Sequence, residues 1–298
     1  MTKSEDVKNS MNESVDFLRR SQRAWADKRD LLGGTSDGWI DLSKREGNLI
    51  WPMSRDTFDA FELGAGNELE GKMRAPHSSS VLAYNMFAAA DRPALADALS
   101  SVLLTGPPTK GPHRVAFEVK RPTGWGGTPP HLDVELEWDD VVVAVESKFM
   151  ESFSSKKNAR KSLEPYLDSQ NAARWPGLTN LRILAQDISD GKRTFEVLDA
   201  PQLIKHILGL HRAQLAAGPA RRFELVLLWF NAGELSSESK LACSELQREF
   251  REFEAAVADD FPVRLVSHQE LFAAYEVHVD ASVSWMQWLK QRYFSPRA

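Results

Sequence analysis

The 298-residue chain holds a single cysteine, Cys243, so no disulfide can close within it and no cysteine-rich zinc site can form. No apolar run approaches the ~20 residues that span a bilayer. The opening segment Met1-Thr2-Lys3-Ser4-Glu5-Asp6 lacks the apolar stretch of a secretory leader. A soluble, cytoplasmic protein with no membrane partner is the expectation. Excess positive charge is missing too. The net charge is −5, so contact with nucleic acid would have to use local basic patches on an acidic molecule. The chain shows no internal repeat, no low-complexity tract, no dedicated DNA-binding motif and no P-loop spacing. What it does have is 42% apolar content, enough at this length to bury a large core, as one elaborated domain or two.

The most informative segment is an acidic hairpin. His131-Leu132-Asp133-Val134-Glu135-Leu136-Glu137-Trp138 and Val141-Val142-Val143-Ala144-Val145-Glu146-Ser147-Lys148-Phe149 flank Asp139-Asp140, a pair suited to a tight turn. With that turn, Asp133 lies opposite Glu146. Cross-strand Cβ atoms are roughly 5 Å apart, close enough for two carboxylates to share one divalent cation. Lys148 is two residues past Glu146 and points from the same face. Three ionisable groups thus converge in strands otherwise made of Val, Ala and Leu.

Around the hairpin, hydrophobic periodicity predicts a mixed fold. Met11, Val15, Leu18 and Trp25 mark an amphipathic helix over residues 8–30 on the outside of the body, followed by irregular chain to Gly66. A helix runs from Ser78 through Ala90, and another follows Pro93. Val115, Phe117 and Val119 alternate with Arg114, Ala116 and Glu118 as a strand. Pro201 opens a helix through Leu210, Phe223–Phe230 forms a buried strand, and 237–258 a further helix. A short strand over 263–266 and a Trp-rich helix with Trp285 and Trp288 complete the chain. The central order of helix, three meandering strands, helix and strand places the chain in the α/β or α+β class.

At these residues the chain resembles the PD-(D/E)xK nuclease superfamily, the restriction-endonuclease-like proteins. Asp133 with Glu146-Ser147-Lys148 is similar to the D…(D/E)-x-K signature, on the second and third strands of an αβββαβ core. His77-Ser78-Ser79-Ser80-Val81-Leu82-Ala83-Tyr84-Asn85-Met86-Phe87 and Gln202-Leu203-Ile204-Lys205-His206 extend the likeness to one bacterial branch. The resemblance implies a central mixed sheet flanked by helices, with a nuclease domain over residues 65–275. Residues 1–64 would then be an N-terminal helical and irregular extension, and 276–298 a C-terminal helix packed on the core. The signature proline is not adjacent to Asp133; the nearest are Pro129 and Pro130. The auxiliary glutamate falls among Glu68, Glu70 and Glu118.

What the resemblance implies chemically is a phosphodiesterase dependent on Mg²⁺ or Mn²⁺, acting on DNA more than RNA. Mg²⁺ needs only one or two carboxylates beside water and substrate phosphate, and Asp133 and Glu146 would supply them. Lys148 would orient or deprotonate the attacking water and stabilise the transition state, its pKa lowered beside the cation. One of Glu70, Glu68 or Glu118 would assist, and Gln202 and His206, one helical turn apart, could reach the site. Without a metal, the facing acids repel and Lys148 neutralises only one of them.

Blander readings compete for the same residues. Acids on a hairpin commonly line a solvated face, and Glu-x-Lys is a common tripeptide. Glu135 and Glu137 read as exposed rim residues, and His77 as a helix cap. The Lys156, Lys157, Arg160 and Lys161 cluster is either a phosphate contact or a solvated face. Trp125-Gly126-Gly127-Thr128 could be a loop over the site with a stacking aromatic. A non-catalytic binding protein of the same fold is the main rival, and a carboxylate-pair glycosidase a weaker one. Dimerisation is open at this level.

Overall fold

A computed structural model describes residues 3–33, 38–63, 69–90, 92–106, 111–154, 159–168, 174–280 and 282–295. Helix α1 (Lys3–Asp27) is followed by α2 (Arg55–Glu62), α3 (Ser79–Phe87) and α4 (Ala96–Leu103). Strands β1 (Arg114–Lys120), β2 (His131–Glu137) and β3 (Val141–Lys148) then form a meander. The chain passes through α5 (Glu164–Leu167), α6 (Thr179–Ser189) and α7 (Ala200–Ala217) before β4 (Arg222–Trp229). Helix α8 (Lys240–Val257), β5 (Val263–Ser267), α9 (His268–His278) and α10 (Ser284–Leu289) complete it.

The five strands lie in the order β1-β2-β3-β4-β5. The first three are antiparallel neighbours, while β4 and β5 run parallel to β3 and β4 after helical crossovers. The class is mixed α/β, with the expected αβββαβ core extended by α8 and β5. The hairpin register is as the Asp139-Asp140 turn predicts, with Val134 opposite Val145 and Glu137 opposite Val142. Strand β3 is buried on both faces from Val141 to Ser147. That burial is what a central strand of alternating parallel and antiparallel neighbours requires.

Differences from the sequence reading are local. The stretch before Gly66 is not wholly irregular, because Ser54 caps α2 by accepting from the Thr57 amide. Helices α6 and α9 lie where the hydrophobic periodicity above predicts none, although α9 carries a complete capping box between Ser267 and Glu270. The cap of α3 is Ser78, which accepts from Val81 N, rather than His77. Val7, Met11 and Leu18 of α1 share one contiguous core with Met286 and Tyr293, so both ends of the described chain pack on the sheet body. The expected boundary at 65 falls in residues outside the description, and position 276 lies within α9. Among the described residues no helix is long and apolar enough to cross a membrane.

Helix α7 covers the sheet face that carries Glu146. Gly209 makes this approach possible: a Cβ there would lie 2.4 Å from the carbonyl oxygen of Arg121. Pro201 occupies the first turn of α7, where its missing N–H costs nothing, and Asp199 caps the helix through Gln202 N. These features bring Gln202 and His206 over the end of β3.

Candidate active site

The hairpin opens where its acids sit. The β2–β3 ladder ends at Val134 opposite Val145, one position short of Asp133 and Glu146. Asp133 Oδ2 instead accepts the Ser147 amide at 2.7 Å. The β1–β2 ladder also skips Asp133: Phe117 pairs with Val134 and Val119 with Leu132, but the intervening Glu118 has φ of 51°. A non-glycine residue in the left-handed region costs roughly 1–3 kcal/mol and is found where surrounding structure enforces it. Backbone pairing is thus given up on both sides of Asp133, and the side chains of Glu118, Asp133 and Glu146 all line one cavity.

That cavity, of about 750 Å³, also receives Lys148, Gln202 and His206. Lys148 Nζ donates to Glu146 Oε1 at 2.6 Å, and Gln202 Nε2 donates to the same oxygen at 2.8 Å. His206 Nε2 stands 3.0 Å from Glu146 Oε2, off the line of a good hydrogen bond. The buried Nδ1 of His206 has no partner among the described residues. Glu146 is therefore clamped from three directions, and its side chain is only 5% exposed.

The two acids respond oppositely to this setting. Burial would raise the Glu146 carboxyl, but the ammonium of Lys148 and the imidazole of His206 outweigh it and hold the group well below its ordinary range. Asp133 is driven well above its ordinary range, by burial first and then by the negative charges of Glu146 and Glu118. Lys148 goes up, because Glu146 and Asp133 overcome the effect of burial. The lowered lysine pKa expected beside a cation is thus not a property of the carboxylate cluster itself, which holds Lys148 as an ammonium.

Among the described residues no group of three or more His, Cys, Asp or Glu side chains forms a ready metal cage. The donor set nevertheless suits a hard dication that keeps most of its waters. Oδ1 of Asp133 has no hydrogen-bond partner among the described residues, and Glu146 Oε2 keeps lone-pair capacity beside His206. A cation there would relieve the like-charge pressure that raises Asp133.

The protein family described as Restriction Endonuclease associating with ARP matches residues 44–294. The chain belongs to that family. No curated protein and no solved structure matches it. Membership assigns the restriction-endonuclease family's fold and, at the level of class, a nuclease-like function and an involvement with nucleic acid.

The residues singled out from sequence divide clearly. Asp133, Glu146, Lys148, Glu118, Gln202 and His206 come together in one cavity. Glu70 is exposed and outside the cavity lining, and Glu68 lies outside the described residues. Glu135 and Glu137 are not rim residues. Glu135 is fully buried and held by the fork of Arg121, while Glu137 pairs with both Arg114 and Arg221. Each acid is buried because a guanidinium from a distant part of the chain satisfies it.

Of the basic cluster, Lys156 and Lys157 lie outside the description, and Lys161 is exposed. Trp125 lines the cavity, with Tyr166 at 5.4 Å and Trp175 at 5.8 Å between ring centroids. Sequence reasoning missed Glu151, which accepts from Ser79 Oγ at 2.9 Å and from Phe149 N at 3.1 Å beside Lys148. It follows Lys148 by three residues and opens a single 3₁₀ turn (Glu151–Phe153), a spacing with no rule attached. Cys243 is buried and its thiol is pushed up to about 11, so it offers no nucleophile.

Proposed function

We propose that this protein is a cytoplasmic, metal-dependent nuclease that hydrolyses phosphodiester bonds of DNA. The observation that supports this most is the opening of the sheet at Asp133, which puts Asp133, Glu146 and the Lys148 ammonium on one cavity wall. Mg²⁺ or Mn²⁺, when bound, would supply charge neutralisation and a more acidic water. Asp133 and Glu146 would hold it.

The protein's own residues supply the rest. Lys148, kept as an ammonium by its carboxylate neighbours, orients the attacking water and stabilises negative charge gathering on the phosphate oxygens. A charged lysine suits this role better than that of a base. Gln202 and His206 fix the plane of the Glu146 carboxylate, so that its remaining lone pair faces one direction. Glu118, beside Asp133 in the wall, assists by adding a third negative charge to the cation side of the cavity.

Cleavage of a DNA substrate with Mg²⁺ or Mn²⁺, and none in EDTA, is the expected behaviour. Asp133→Ala, Glu146→Ala and Lys148→Ala should each remove cleavage while circular dichroism shows an intact fold. Calorimetric titration with Mn²⁺ adds a readout independent of turnover: heat of binding in the parent protein, and none in Asp133→Ala. Equal cutting in EDTA, or full activity in Lys148→Ala, would refute the mechanism. A folded protein that takes up no Mn²⁺ would favour the non-catalytic rival.

A further inference from the structure

We propose that a second cavity, of about 350 Å³ on the far side of Trp125, is a phosphate site that holds a single DNA strand next to the bond being cut. The proposal rests on the nuclease reading above. Trp125 lines both this cavity and the 750 Å³ cavity of the acid cluster, so one indole separates the two.

The second cavity is built around two arginines. Arg174 donates to the carbonyl oxygen of Gly124 at 3.1 Å, and its guanidinium lies 5.8 Å from the Trp125 ring. Arg212, from α7, rests against Gly124 in the space a side chain would fill: a Cβ there would be 2.2 Å from Nη1. Gly124 has φ of 92°, so a glycine serves both the loop conformation and the approach of Arg212. His211 stands beside them, with Nε2 2.7 Å from the Pro176 carbonyl oxygen.

Two guanidiniums gathered at one loop repel each other unless an anion lies between or near them. Among the described residues, no carboxylate lines this cavity and none pairs with Arg174 or Arg212. Arg114, Arg121 and Arg221, by contrast, all have glutamate partners. An unneutralised pair of planar, forked donors matches the geometry of a phosphate group.

The order of parts defines the ligand. An acid cluster that needs a phosphodiester, then an indole face, then an arginine pair is the sequence phosphate, base, phosphate along one strand. A base can stack on Trp125 only if it is not paired with a complement, since in a duplex its faces are already covered by neighbours. The site therefore selects a single strand, an end or an extruded nucleotide over intact duplex. Tyr166 and Trp175 buttress the indole for that stacking.

The test uses the full-length protein in EDTA with a fluorescent DNA 12-mer, as single strand and as duplex, read by anisotropy between 50 and 200 mM salt. The parent should favour the single strand. The R174Q/R212Q double variant should lose roughly tenfold in single-strand affinity, and its salt slope should fall by about 0.7, the value for one phosphate contact. Trp125→Ala should lose about 5- to 150-fold with the slope unchanged, while Trp125→Phe keeps most of the affinity. Arg251→Gln, an exposed arginine on α8, should change nothing.

Both arginines are exposed, so their replacement should leave the fold intact. Parent-like affinity and slope in R174Q/R212Q, or an equal loss for duplex and single strand, overturns the proposal. Cleavage of the same 12-mer in Mg²⁺ separates the two readings. A parent that cuts while R174Q/R212Q binds normally sinks only the second site, whereas a parent that neither binds nor cuts sinks the nuclease reading with it.

Discussion

Replacing the two facing acids by their amides should shift the stability of the metal-free protein in opposite directions. Asp133 sits where its surroundings resist a negative charge, since burial and the acids Glu146 and Glu118 all oppose its ionisation. Asp133→Asn removes that charge and keeps an oxygen to accept the Ser147 amide, now at 2.7 Å. A gain of about 1–2 kcal/mol is expected, in the range found when a strained functional group is relieved.

Glu146→Gln acts the other way. It leaves the Lys148 ammonium, now 2.6 Å from Oε1, without its partner in a buried site. Breaking one side of a buried pair costs about 3–5 kcal/mol. Lys148 retains some solvent contact, at 16% side-chain exposure, so the lower figure of about 3 kcal/mol applies. At about 2 °C per kcal/mol for a chain of this size, Asp133→Asn should melt about 2–4 °C higher in EDTA and Glu146→Gln about 6 °C lower. Differential scanning calorimetry at pH 7.5 reads both. If the two variants shift in the same direction, the acids are a cooperating structural pair and the argument for a cation-hungry site fails. Added Mn²⁺ should raise the parent by up to about 2.7 kcal/mol at a hundredfold excess over Kd, and should leave Asp133→Asn unmoved.

Three further expectations follow from the same geometry. Glu118→Gln should slow cleavage about 10- to 100-fold, as loss of a residue supporting a metal site does, whereas Glu70→Gln, at an exposed position, should cut like the parent in the same gel assay. Gly209→Ala should lower stability by about 1–3 kcal/mol in urea unfolding, because its Cβ meets the Arg121 carbonyl oxygen; an unchanged midpoint would mean that α7 shifts without cost. His268 is buried 3.2 Å from Ser147 Oγ, and burial holds its imidazole down to about 3 against an ordinary 6.5. The fold thus favours neutral imidazole, so its contribution is intact above pH 6.5 and is lost as pH falls from 6.5 toward 3, by about 2 kcal/mol at pH 5. His268→Gln should flatten that part of the pH–stability curve, and a slope equal to the parent's would show that other groups set it.

The sequence made legible those parts of the protein that depend on near neighbours in the chain. A two-residue turn between alternating runs leaves one register, and Val134 duly faces Val145. Ser78 before an apolar run and Pro201 in a first turn likewise announce α3 and α7. Helix α6 was missed although Leu181, Leu184 and Ile188 carry helical spacing, because its apolar face is narrow amid polar residues. Long-range partners had no local signal. Nothing near Glu137 points to Arg221, and nothing near Trp125 points to Tyr166 or Arg212. The side-chain type of Glu118 gives no hint that it adopts a positive φ.

The exceptions to local rules in this protein are not scattered. A glutamate in the left-handed region, a β1–β2 ladder interrupted at Asp133, a β2–β3 ladder that stops just short of it, a carboxyl held above its usual range and a buried imidazole nitrogen with no partner among the described residues all border one cavity. Each alone costs stability, and none is needed to close the sheet, since Glu135 and Glu137 show how the same strand buries acids at little cost by recruiting arginines. Asp133, on that strand and that face, has no such partner. A chain that neutralises two of three aligned acids with guanidinium groups and leaves the third facing Glu146 has kept one position for a cation that the chain itself does not provide.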